Sequence, residues 1–114
     1  MEQKFVLGKH CFTEAYDCCK ELLDDEEFLK EQIIEALNKT SLTLLNISSH
    51  KFEPQGVTIV ALLSESHISI HTWPENGSAA LDVFTCGDTN PEIAMLHMIL
   101  ALKSRRHSTK CIER

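Results

Sequence analysis

The sequence holds no apolar run long enough to cross a bilayer: the longest, residues 57–63, falls far short of the roughly 20 residues that a spanning helix needs. Its beginning lacks the charged-then-apolar pattern of a secretion signal. Together these absences give the expectation of a cytoplasmic protein that does not enter a membrane. Positive charge is also scarce. Eleven Lys and Arg stand against 17 Asp and Glu, a formal net charge of -6, which repels nucleic acid and anionic lipid instead of collecting them. The one basic cluster, Lys103, Arg105 and Arg106, falls where a helix is expected to end, and there it would complement the helix dipole. Cysteines with metal-type spacing are missing. Cys11, Cys18, Cys19, Cys86 and Cys111 are odd in number, and adjacent Cys18 and Cys19 make a poor disulfide pair, so all five are expected as thiols. There are no internal repeats and no low-complexity linkers. With 114 residues and 43% hydrophobic composition the chain is expected to form one domain, residues 1–114.

What is present alternates between strand and helix patterns. Residues 5–12 read as a strand interrupted by Gly8, and residues 13–23 as a loop with a helical turn. Over residues 25–39, Leu29, Ile33, Ala36 and Leu37 recur at helical spacing, with Asp24 or Asp25 available as the cap. Residues 42–51 and 57–63 read as a hairpin around the turn Glu53-Pro54-Gln55-Gly56. Residues 67–72 alternate, with His67, Ser69 and His71 on one side and Ile68 and Ile70 on the other; residues 79–85 form a further strand. Asn90-Pro91-Glu92 supplies a cap, a first-turn proline and a first-turn acid for a second helix reaching about Lys103, and residues 108–112 could close the sheet. The predicted fold class is α+β: a two-layer α/β sandwich with a mostly antiparallel sheet and two helices packed on one face. An uncovered sheet face calls for a partner, so a dimer is expected.

The stretch Glu65-Ser66-His67-Ile68-Ser69-Ile70-His71-Thr72-Trp73-Pro74-Glu75 is unusual for a half-buried strand because it is dense in reactive groups. His67 and His71, with Cys86 or Glu75, could in principle hold zinc. In a strand, however, four residues separate the two rings by roughly 13 Å, too far for one ion. No metal is therefore expected.

That stretch, followed by Asp82-Val83-Phe84-Thr85-Cys86-Gly87-Asp88, closely resembles the pyruvoyl-dependent S-adenosylmethionine decarboxylases of the short prokaryotic class. The resemblance extends to Leu7-Gly8-Lys9-His10 and to Phe52-Glu53-Pro54-Gln55-Gly56-Val57, and covers most of residues 5–102. It implies a proenzyme that cuts itself between Glu65 and Ser66 into a β chain, residues 1–65, and an α chain, residues 66–114. The α chain would begin with a pyruvoyl group made from Ser66, the ketone that forms a Schiff base with the substrate amine. No ordinary side chain supplies such an electron sink. A bend at residues 64–66 is expected, since tight pairing would hold the Glu65 carbonyl away from the attacking hydroxyl.

The resemblance further implies His71 as the base of processing, Thr58 as its supporting hydroxyl and Cys86 as the proton donor in turnover. Phe52 would stack on the adenine and Glu75 would hold the ribose of S-adenosylmethionine. By the same resemblance, a homodimer shares its sites, Ser66 and Cys86 coming from one subunit and Phe52, Thr58, His71 and Glu75 from the other. Two positions depart from the family pattern: Thr58 stands where serine is usual, and Ser78 where many relatives carry an aromatic residue. Alternative readings are a pyruvoyl-dependent decarboxylase of arginine or ornithine, and an unprocessed noncatalytic subunit that regulates an active relative.

Overall fold

Period-two burial governs the sheet. In the computed structural model, which describes residues 5–114, six strands form one antiparallel sheet: β1 Gly8–Tyr16, β2 Leu44–Lys51, β3 Val57–Leu63, β4 Ser66–Trp73, β5 Ser78–Cys86 and β6 Arg106–Glu113. Their spatial order is β2-β3-β4-β5-β1-β6. In β3 the buried residues are Val57, Ile59, Ala61 and Leu63; in β4, Ser66, Ile68, Ile70 and Thr72; in β5, Ala79, Leu81, Val83 and Thr85. These side chains meet Leu29, Ile33, Ala36 and Leu37 of α2 (Glu26–Asn38) and Ala94, Met95, Met98 and Ile99 of α3 (Pro91–Ala101) in one core. Each large aliphatic side chain fully buried there contributes about 1.5–3 kcal/mol. The opposite face, carrying His67, Ser69, His71 and Trp73 on β4, has no helix over it among the described residues. The sandwich and its open face match the sequence reading.

Asp25 is the cap of α2, its side chain accepting from the Phe28 N–H at 3.0 Å. Asn90 caps α3 through the Glu92 N–H at 2.9 Å. Several expectations need correction. Three helices are present among the described residues, because the turn foreseen within residues 13–23 closes as α1 (Lys20–Leu23). Strand β1 begins at Gly8 and continues to Tyr16, since Thr13 and Ala15 keep the burial phase of Cys11. Gly8 is the first residue of that strand, and a Cβ there would collide with the Thr85 carbonyl oxygen of β5. Arg106 belongs to β6, not to a helix end: its guanidinium lies 4.4 Å from the Tyr16 ring centroid and 3.4 Å from Asp17 Oδ2.

The cysteine reading also changes. Cys11 and Cys111 are joined in a disulfide, because the β1–β6 register sets them directly opposite each other. Their separation of 100 residues hides that pairing from a local reading. Cys18, Cys19 and Cys86 are free thiols. Among the described residues no helix is long and apolar enough to cross a membrane.

Candidate active site

Leu63 lies opposite Ser66, so only Ser64 and Glu65 turn the chain from β3 into β4. That turn forces Glu65 to a φ of 63°, the left-handed region, which costs an ordinary L-residue about 1–2 kcal/mol. The bend expected at residues 64–66 is therefore present. Cys86, ending the neighbouring strand β5, reaches over it. Its thiol donates to the Glu65 carbonyl oxygen at 2.6 Å, while its N–H donates to Ser66 Oγ at 3.3 Å. A polarised carbonyl thus stands next to a hydroxyl whose own side chain is buried. Such an arrangement suits attack by Ser66 Oγ on the carbonyl carbon before it.

At the other end of β4, Thr58 and His71 face each other across the β3–β4 ladder, with Thr58 Oγ1 3.1 Å from His71 Nδ1. They line a cavity of about 360 Å³ together with Phe52, Gly56, Trp73 and Glu75. This volume lies in the range of small-ligand pockets, roughly 300–1,000 Å³. Phe52, half-exposed, meets the His50 ring edge-on at 4.5 Å. Glu75 is held in the short 3-10 turn Pro74–Asn76.

The loop under Phe52 is fixed by hydrogen bonds. The Phe52 N–H donates to the Gly56 carbonyl at 2.8 Å, and the Gly56 N–H donates to Asp24 Oδ1 at 2.8 Å. Lys51 Nζ lies 3.0 Å from the same oxygen. The Gly56 N–H first, then Lys51, hold the Asp24 carboxyl below the usual carboxylate range. Gly56 has φ 109°, and a Cβ there would press on the Thr72 carbonyl at 3.3 Å.

The seven site residues read from the sequence therefore form two clusters. Glu65, Ser66 and Cys86 meet at one end of β4; Phe52, Thr58, His71 and Glu75 meet at the other. Five residues along a strand separate Ser66 from His71 by about 16 Å. Within one chain, the imidazole of His71 cannot reach the Ser66 Cα–H. His67 and His71 do not share a site either.

Sequence reading missed a third cluster on the open face. Asp82 Oδ2 lies 2.7 Å from His10 Nε2 and 2.9 Å from His67 Nε2, and Ser69 Oγ donates to Asp82 Oδ1. Burial alone would raise the Asp82 carboxyl; the hydrogen bonds from Ser69, His10 and His67 outweigh it and hold the group below its usual range. The available signal was phase: Asp82 alternates with the buried Leu81 and Val83, which turns it to the same side as His67 and Ser69.

The sequence matches the family described as S-adenosylmethionine decarboxylase over residues 9–114. The chain belongs to that family. An S-adenosylmethionine decarboxylase proenzyme of Synechococcus sp. (strain WH7803) is 58% identical over 106 residues, covering 92% of this chain and 83% of the relative. One from Methanococcus aeolicus is 54% identical over 90 residues, covering 78% and 77%. Among solved structures, the adenosylmethionine decarboxylase of Aquifex aeolicus VF5 superimposes with a TM-score of 0.89 at 36% identity, covering 97% of this chain and 92% of that one. The Trypanosoma brucei AdoMetDC-delta26 monomer shares the fold, at a TM-score of 0.68 and 14% identity. This chain spans 44% of that longer one.

Proposed function

We propose that this chain is a self-processing, pyruvoyl-dependent decarboxylase that converts S-adenosylmethionine to its decarboxylated form and carbon dioxide, giving the aminopropyl donor for spermidine synthesis in the cytoplasm. The observation that carries the reading is the turn at Glu65-Ser66 under the Cys86 thiol. In self-cleavage, Ser66 Oγ bonds to the Glu65 carbonyl carbon and the carbon–nitrogen bond breaks, giving an ester and a free amine at residue 66. Removal of the Ser66 Cα proton expels the Glu65 carboxylate and leaves an enamine. Water then replaces ammonia to give the ketone, with residues 1–65 and 66–114 as separate chains.

The residues around Ser66 fit such a group. Ser66 is the first residue of β4 and is buried. The pyruvoyl group supplies the electron sink for decarboxylation. The chain's own residues do the rest: Cys86 returns a proton to the substrate Cα, Phe52 stacks on the adenine and Glu75 accepts from the ribose hydroxyls. A homodimer with the two open faces together would bring His71, Thr58, Phe52 and Glu75 of one subunit to Ser66 and Cys86 of the other. The two half-sites at opposite ends of β4 support this sharing.

The test is release of carbon dioxide from carboxyl-labelled S-adenosylmethionine, arginine and ornithine by purified, cleaved protein. Release from S-adenosylmethionine alone is expected. Release only from arginine or ornithine would overturn the substrate assignment, and release from none by a chain that stays intact would favour a noncatalytic regulatory subunit.

A further inference from the structure

The Asp82 cluster lies outside both half-sites yet joins three strands at the residue following Ser66. In register, Phe84 of β5 stands opposite His67 of β4 and His10 of β1, and Asp82 stands opposite Ser69 and Phe12. Asp82 therefore reaches diagonally to both histidines across the open face. The His67 ring stacks on Phe84, with centroids 6.1 Å apart and planes 25° apart. The His10 ring meets Phe84 edge-on at 5.6 Å. Both Nε2 atoms converge on one carboxylate oxygen.

Two imidazoles and a carboxylate with ligand atoms within 4.8 Å of one another could also hold a divalent metal. The other side of His10 argues against it. Arg114 Nη1 lies 3.4 Å from His10 Nδ1, and a guanidinium only donates. His10 Nδ1 must then accept, so the ring proton sits on Nε2 and points at Asp82. A metal on Nε2 would push that proton onto Nδ1, against the arginine.

We propose that Asp82 is a positioning residue, acting through His67, for self-cleavage and for the group that cleavage leaves on residue 66. This rests on the pyruvoyl reading above. The Ser66 side chain turns toward the helices, and the next side chain, His67, turns to the open face, where Asp82 grips it. Before cleavage, residue 66 is held from both directions along the chain. Afterwards it is a chain terminus, and strand termini fray unless tied down. The first side-chain tie of the new α chain on this face is His67 to Asp82, and Asp82 is itself secured by His10 and Ser69. The amide joining residues 66 and 67 is part of the conjugated electron sink, so its orientation follows from where His67 is held.

Asp82→Asn, His67→Gln and His67→Leu are to be compared with wild type. Cleavage is followed by mass, kcat and KM are normalised to ketone content, and the His10 and His67 ring tautomers are read by 15N–1H NMR. Asp82→Asn is expected to slow cleavage and lower kcat by about tenfold or more, as small misplacements of reacting groups do, with KM little changed. His67→Gln, which keeps a donor near the place of Nε2, should retain more of both rates than His67→Leu. Wild-type rings should show the Nε2–H tautomer, and the His67 signals should move in Asp82→Asn. Wild-type rates in Asp82→Asn, or His67 signals indifferent to it, would overturn the proposal while leaving the pyruvoyl reading intact. Cobalt(II) bound by wild type but not by Asp82→Asn would also overturn it, reassigning the cluster as a metal centre. An uncleaved wild-type chain would instead overturn the pyruvoyl reading on which it rests.

Discussion

Ser66→Ala and His71→Ala chains, each expected to stay intact alone, should restore cleavage when produced together. Five strand residues keep Ser66 about 16 Å from His71 of the same chain. The Ser66→Ala chain lacks the nucleophile but keeps the Thr58–His71 pair, joined at 3.1 Å. The His71→Ala chain keeps Ser66 under Cys86. In a mixed dimer one shared site is complete and the other lacks both groups. With equal expression and random pairing, about half of all dimers are mixed, so about half of the His71→Ala chains should be cut and none of the Ser66→Ala chains. Differently tagged chains, reduced and weighed after denaturation, give both fractions, and native mass spectrometry verifies the mixed dimers. Cleavage of His71→Ala alone at the wild-type rate would refute the role of His71. Mixed dimers that stay wholly intact would refute the sharing.

Three further outcomes are expected. Thr58→Val removes the hydroxyl beside His71 Nδ1 and should slow cleavage by about tenfold or more, as loss of a group supporting a general base does; Thr58→Ser should cleave at least as fast as wild type, as a time course of chain masses would show. Reducing Cys11–Cys111 in the uncleavable Ser66→Ala chain should lower stability to urea by about 2–4 kcal/mol, with no such effect in Ser66→Ala/Cys111→Ser; equal losses in both would show that the bond does not contribute. Because the Asp82 carboxyl lies below its usual range when folded, its contribution to stability is present above the unfolded value, about pH 4, and is lost as pH falls through the lower folded value. Urea titrations of wild type and Asp82→Asn should therefore converge in that acid window, and a constant gap down the whole window would contradict the assignment.

Most of the architecture was legible because β3, β4 and β5 alternate cleanly and α2 and α3 carry their own caps. The motif residues were legible as a set, and the resemblance already divided them between two half-sites; the unbroken run of β4 from Ser66 to Trp73 adds the physical reason, their separation along one strand. Glu65 gave no hint of its positive φ, since a turn of Ser64 and Glu65 lacks the glycine or asparagine that marks such backbone. The Asp82 cluster and the Cys11–Cys111 bond depend on which strands are neighbours. β1 sits between β5 and β6, and no local pattern announces contacts made by residues 72 and 100 positions apart. Asp24 was read as a possible cap, but Asp25 fills that role and Asp24 instead ties down the loop carrying Phe52.

The most direct test of self-cleavage is the intact mass of purified wild-type protein, denatured, with and without reduction. Cys11 falls in residues 1–65 and Cys111 in residues 66–114, so the two products should stay joined until reduced. The nonreduced mass should differ from the disulfide-bonded precursor only by gain of one water and loss of one ammonia. Reduction should then release residues 1–65 and a ketone-ended chain of residues 66–114. A single reduced chain of full length, with the serine at position 66 unchanged, would contradict self-cleavage at Glu65-Ser66.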